Sequence, residues 1–178
     1  LVDRERLDKL IPTNFNPAEA ESMPSVFKGE THAGGERFAI VVSRYNESIT
    51  RKLLDGAVET LASRGVEEHA IVIAWVPGAW ELPLVAQQFA AQETFAAVIC
   101  LGAVIKGETT HDQHINTQVA QSLGQLALDF DVPVLFGVLT CNTYEQAEER
   151  AGGIVGNKGS ECALAALEMA HLLAQLRR

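Results

Sequence analysis

Cations are scarce in this chain: 14 lysines and arginines stand against 23 aspartates and glutamates, a formal net charge of -9. Binding to nucleic acid needs a basic face, so this balance argues against it. A small anionic ligand stays allowed, because a few local cations suffice to hold one. Cysteine is also sparse. Cys100, Cys141 and Cys162 fall at no metal-ligand spacing, and Cys100 and Cys162 sit in apolar contexts as buried free thiols would. No metal site is expected. The odd count and the lack of a secretory leader point to a reducing compartment, the cytoplasm. No apolar run approaches the roughly 20 residues of a membrane helix, so no membrane association is expected.

What is present describes a soluble globular protein. Of 178 residues, 47% are apolar and 21% charged, enough for one domain plus an appendage. Residues 1–36 form that appendage, an N-terminal arm holding Pro12, Pro17 and Pro24 among mixed charges. A short helix is predicted over Asp3–Leu10. For the rest of the arm two readings stay open, disorder and docking on a neighbouring subunit from about residue 27.

From Arg37 the pattern becomes regular. Phe38–Val42, Ala70–Val76, Ala96–Leu101 and Pro133–Leu139 read as short buried strands. Between them apolar residues recur at helical spacing. The first helix carries Ile49, Leu53, Leu54, Ala57 and Leu61, with Gly65 as its stop. The second carries Leu82, Val85, Ala86 and Phe89, with Pro83 tolerated in its first turn. The third carries Ile115, Val119, Leu123, Leu126 and Phe130. A helix from about Thr143 is predicted to end at Gly152-Gly153. A last one from Lys158 is predicted to bury Cys162, Ala165, Met169 and Leu172. Apolar strands alternating with helices imply a parallel sheet covered on both faces. Residues 37–178 are therefore expected to form a three-layer α/β/α sandwich with a four-stranded parallel sheet, flavodoxin-like in outline.

Ligands of such sheets bind beyond the carboxyl ends of the strands. Those ends carry Tyr45-Asn46, Pro77 to Glu81, Lys106 to His111, and Thr140 to Asn142. The third is the richest, reading Gly107-Glu108-Thr109-Thr110-His111-Asp112-Gln113-His114. Its threonines and His111 fall at a helix start, where N–H groups lack partners and the dipole is positive. Such a turn can cradle a phosphate; equally, Thr109 or Thr110 can simply cap the helix. His111 beside it can carry protons near neutral pH. The three-residue spacing of His111 and His114 invites a metal reading, but zinc needs three or four ligands and no second cluster appears. His32, His69 and His171 read as solvated or satisfied. Arg150, Lys158 and Phe136 stand away from the strand ends; if they act, the simplest way is to complete a neighbour's pocket.

Together these segments resemble the lumazine synthase family of riboflavin biosynthesis, from about Phe27 to Leu173. The resemblance rests on motifs in fixed order: Ser43-Arg44-Tyr45-Asn46, Val76 to Pro83, Leu101 to His111, Phe136 to Thr140, Glu149 to Gly152, and Gly156 to Gly159. It implies condensation of 5-amino-6-(D-ribitylamino)uracil with 3,4-dihydroxy-2-butanone 4-phosphate, with no cofactor. Tyr45 and Asn46, then Ala79, Trp80 and Glu81, then Ala103, Val104 and Ile105, match positions that hold the pyrimidine and its ribityl chain. Gly107, Glu108, Thr109 and Arg150 match the phosphate site, and His111 the proton carrier. Phe136 and Lys158 match the wall supplied by an adjacent subunit. The resemblance also implies a homopentamer with shared sites, a sixty-subunit shell as an allowed further assembly, and association with riboflavin synthase. One departure is local. The family often has an aromatic residue after the histidine, where this chain has Asp112, and the roles of Asp112 and His114 stay open. The competing readings are a non-catalytic flavin- or pterin-binding member, a shell-forming scaffold, and a receiver-type domain. The paired acids a receiver needs are absent at Ser43 to Asn46.

Overall fold

The computed structural model describes residues 25–177. Strand β1 (Phe38–Ser43) is followed by helix α1 (Glu47–Ser63), β2 (Ile71–Val76), α2 (Leu82–Ala90), β3 (Ala97–Ile105) and α3 (His111–Phe130). Then come β4 (Val134–Cys141), a short α4 (Tyr144–Glu149), β5 (Ala151–Gly153), β6 (Gly156–Asn157) and α5 (Lys158–Leu176). The four long strands form one parallel sheet in the order β2-β1-β3-β4. That is the expected α/β/α sandwich. The helix predicted over Asp3–Leu10 lies outside the described residues.

Period two in the strands builds the two faces. Phe38, Ile40 and Val42 of β1 pack with α1 and α5, together with Ile99 and Leu101 of β3. Ala39 and Val41 pack with α2 and α3, together with Val98 and Cys100. Each fully buried Leu, Ile or Phe in these layers contributes about 1.5–3 kcal/mol relative to exposure. Burial on both faces holds for central β1 and for β3, but not for edge strand β2, where Ile73 is 42% exposed. Trp75 of that strand is covered instead by the Arg51 guanidinium of α1, 4.5 Å above its ring.

Helix α1 stops as its sequence suggests. Gly65 takes φ +91°, and Gly65 N–H and Val66 N–H donate to Ala62 O and Leu61 O, the paired bonds that close a helix end. Three elements differ from expectation. Strand β3 runs four residues beyond Leu101, because its pairing with β4 continues to Ile105 opposite Cys141. The helix after Thr143 ends at Glu149, since Ala151–Gly153 turns back to pair with Gly156–Asn157 in a small hairpin. Helix α5 buries Cys162, Ala163, Ala166 and Leu167, while Met169 is 37% exposed. Small residues explain that rotation: a Cβ on Gly159 would come within 1.9 Å of Leu53 O. Helices α1 and α5 meet at nearly backbone distance there, which a larger side chain prevents.

The part of the arm from Lys28 to Ala33 lies against its own domain. Lys28 O accepts from Gln175 Nε2 at 2.8 Å and Ala33 N–H donates to Arg64 O at 2.9 Å. Glu30 N–H donates to His171 Nδ1 at 2.9 Å, and the His32 ring lies 6.3 Å from that of His171. These two histidines are therefore engaged with the arm. Among the described residues His69 is held only by Glu67, 3.1 Å away on the surface.

Candidate functional site

Three turns at the carboxyl edge of the sheet enclose a cavity of about 530 Å³. The first follows β1. Arg44 N–H and Tyr45 N–H donate to Val76 O and Pro77 O, at 2.8 and 3.0 Å, extending the β1–β2 pairing past the strands. This leaves the Tyr45 side chain 73% exposed on the cavity wall. Asn46 turns the chain into α1 with φ +60°, a conformation that asparagine tolerates better than most residues. Its amide donates to Ala103 O at 2.9 Å. Asn46 thus ties the first turn to the tip of β3 and does not itself line the cavity.

The second turn, Pro77 to Glu81, is fixed from within. Glu81 Oε2 accepts from Gly78 N–H at 2.9 Å. Ala79 is buried and Trp80 is 54% exposed, so the indole forms wall rather than core. The third segment leaves β3 through Ala103, Val104 and Ile105, all on the cavity surface. Lys106 N–H donates to Cys141 O at 2.8 Å, after which the chain is released from β4.

Gly107, Thr109 and His111 line the cavity at the start of α3. A Cβ on Gly107 would meet nothing within 4 Å. The chain's own packing does not need glycine there, which leaves the space for a ligand. Neither threonine caps the helix as the simpler reading expected: Thr110, at the capping position, makes no side-chain bond, and Thr109 Oγ1 accepts only a long 3.4 Å bond from His111 N–H. The first turn therefore keeps donor capacity and a positive end facing the cavity. His111 and Glu108 are exposed.

The profile of the protein family described as 6,7-dimethyl-8-ribityllumazine synthase matches residues 35–174. The chain belongs to that family. It is an enzyme family, and the α/β fold here agrees with it. Among the described residues no helix is long and apolar enough to cross a membrane, and no group of three or more His, Cys, Asp or Glu could hold a metal ion.

Four residues implicated by the resemblance to lumazine synthases do not line this cavity, apart from Asn46: Glu108, Phe136, Arg150 and Lys158. Phe136 lies midway along β4, opposite Cys100, and is 38% exposed. Arg150 and Lys158 flank the β5–β6 hairpin, where Lys158 N–H donates to Arg150 O at 2.9 Å. Their side chains share one carboxylate, with Arg150 Nη2 3.4 Å and Lys158 Nζ 3.1 Å from Glu161 Oε2. Burial pushes the Cys162 thiol up to about 11, against the nearby charges of Lys158 and Arg150. Burial also raises Cys100 far above the ordinary thiol range and raises Cys141, near Arg150, by less. Cys100 and Cys162 are buried thiols of the core.

Four cavity residues were assigned no role in sequence: Pro77, Gly78, Asp112 and Ile115. The signal was available. Asp112, Ile115, Val119 and Leu123 continue a single inward stripe of α3, and only the polarity of Asp112 hides its membership.

Proposed function

We propose that this chain is a 6,7-dimethyl-8-ribityllumazine synthase. It condenses 5-amino-6-(D-ribitylamino)uracil with 3,4-dihydroxy-2-butanone 4-phosphate and releases phosphate and water. The observation that carries the reading is the cavity. In a chain of this family, it gathers Tyr45, Trp80, Glu81, Gly107, Thr109 and His111 at the strand tips.

In this reading the pyrimidine stacks on Tyr45 against the Ala103–Ile105 wall, with Asn46 bracing the turn. Ala79, Trp80 and Glu81 hold the ring and its ribityl chain. The phosphate lies on the Gly107-Glu108-Thr109 turn, where helix N–H groups receive its charge. Arg150, Lys158 and Phe136 reach it from the adjacent subunit of a homopentamer, which can build further into a closed shell.

The chemistry needs little more. The amine attacks the ketone, water leaves to give an imine, phosphate departs, and a second attack closes the ring with loss of a second water. His111, exposed at the cavity rim, exchanges protons with water at each stage; a positioned acid–base group of this kind gives about 10²–10⁴-fold. Donors aimed at the leaving phosphate stabilise its developing charge. Holding both substrates in reactive geometry supplies much of the remainder.

The test is to mix the purified protein with both substrates and follow lumazine fluorescence and inorganic phosphate together. Equal amounts of both products support the reading. A folded oligomer that binds the pyrimidine but yields neither product would instead make it a non-catalytic binding member.

A further inference from the structure

We propose that Asp112 is a substrate-contacting residue of this cavity, its carboxylate accepting a hydrogen bond from the reacting 5-amino group of the pyrimidine. The inference rests on the functional reading above and adds a residue to it.

His111 and Asp112 are neighbours in sequence but face different ways, as adjacent helical residues do. His111 is exposed at the rim, whereas Asp112 is half-buried on the inward stripe of α3; both line the cavity. The wall on that side includes the apolar residues Ala79, Val104 and Ile115. A carboxylate in such company is costly unless something donates to it. Asp112 Oδ1 is closed to solvent and receives no hydrogen bond among the described residues. No Lys, Arg or His is paired with Asp112 among the described residues. The positive end of α3 favours the anion there, but does not supply the missing donor.

What fits an anionic acceptor on an otherwise apolar wall is an N–H group. Of the two substrates, the ketone brings a phosphate that a carboxylate repels, and the diaminopyrimidine brings amines. The phosphate turn immediately precedes Asp112 in the chain, so the two reacting ends meet near the first turn of α3. The 5-amino group is therefore the donor assigned to the Asp112 carboxylate.

Isothermal titration can test this with two probes, 5-amino-6-(D-ribitylamino)uracil and the same compound lacking the 5-amino group. The unaltered protein should bind the amino compound about ten- to a hundredfold more tightly, the range for a hydrogen bond to a charged group. Asp112→Ala should abolish that preference, and Asp112→Asn, which keeps an acceptor oxygen, should restore part of it. In turnover, Asp112→Ala should raise KM for the pyrimidine and leave KM for the phosphate substrate unchanged. Should Asp112→Ala fail to fold by circular dichroism, Asp112→Ser carries the same comparison. Equal losses for both probes, or no loss for either, would overturn the proposal. A protein that binds neither probe before any substitution would show that the functional reading itself has failed.

Discussion

The two ends of the candidate site are built differently. At the strand tips, polar groups from three turns face one cavity, and several of them make no strong bond to the chain itself. Thr110 caps nothing, and the space beside Gly107 is open. At the β5–β6 hairpin the opposite holds. Arg150 and Lys158 share the single carboxylate of Glu161, and neither lines the cavity. The first region is ready for a ligand within one chain. The second carries the cations that the function proposed above assigns to the phosphate, away from the cavity of their own chain. A site divided between two copies reconciles the two, and that is the assembly proposed above.

The largest expected effect lies at the divided end. Arg150→Ala should lower kcat/KM by about 10²–10³-fold, mostly through KM for the phosphate substrate, as removing one partner of a desolvated charge pair does. Steady-state kinetics with each substrate varied in turn would check it. An unchanged KM would take Arg150 out of the site. His111→Ala should reduce kcat by about a hundredfold while binding stays intact, because water can still move protons in place of the imidazole.

Two glycines sharpen the contrast between packing and ligand space. Gly159→Ala pushes a methyl into Leu53 O and should cost about 1–3 kcal/mol in a urea melt. Gly107→Ala should leave stability within about 0.5 kcal/mol and weaken only the phosphate substrate. Stability loss at Gly107 with kinetics preserved would reverse their roles.

The last effect concerns the thiols. Cys162 keeps its proton in the folded chain to about 11 and loses it near the ordinary 9.0 when unfolded. In that interval the folded state binds more protons than the unfolded one. Stability should therefore be unaffected below pH 9 and fall as pH rises from 9 toward 11, with a slope of about 1.4 kcal/mol per pH unit from this group. Comparing Cys162→Ala with the parent across that range isolates it.

Most of this architecture was legible because buried parallel strands and amphipathic helices announce themselves by period. The misses share one cause, which is that partners are invisible in a single sequence. Strand β3 runs on to Ile105 only because β4 is there to pair with it. Met169 and Leu172 looked like core by size, but the close approach of α1 selected the small face with Ala163 and Ala166. Gly152-Gly153 signalled a stop, and its second use, in a hairpin with Gly156, needed tertiary context. At the site, the turn residues were readable because each breaks the chemistry of a plain connection. The role of Asp112 stayed open in the sequence, because a polar residue does not announce its place on an inward stripe. The cavity gives it a separate place.

The divided site is tested most directly by complementation. Glu81→Ala damages the strand-tip end and Arg150→Ala the hairpin end, and each alone should be nearly inactive. When the two are co-expressed and purified as mixed oligomers, about a quarter of randomly assembled interfaces should carry neither change. Lumazine formation should recover to about that fraction of the unaltered protein's rate. Mixed oligomers no more active than the two variants apart would mean that one chain holds the whole site, and the account would be wrong.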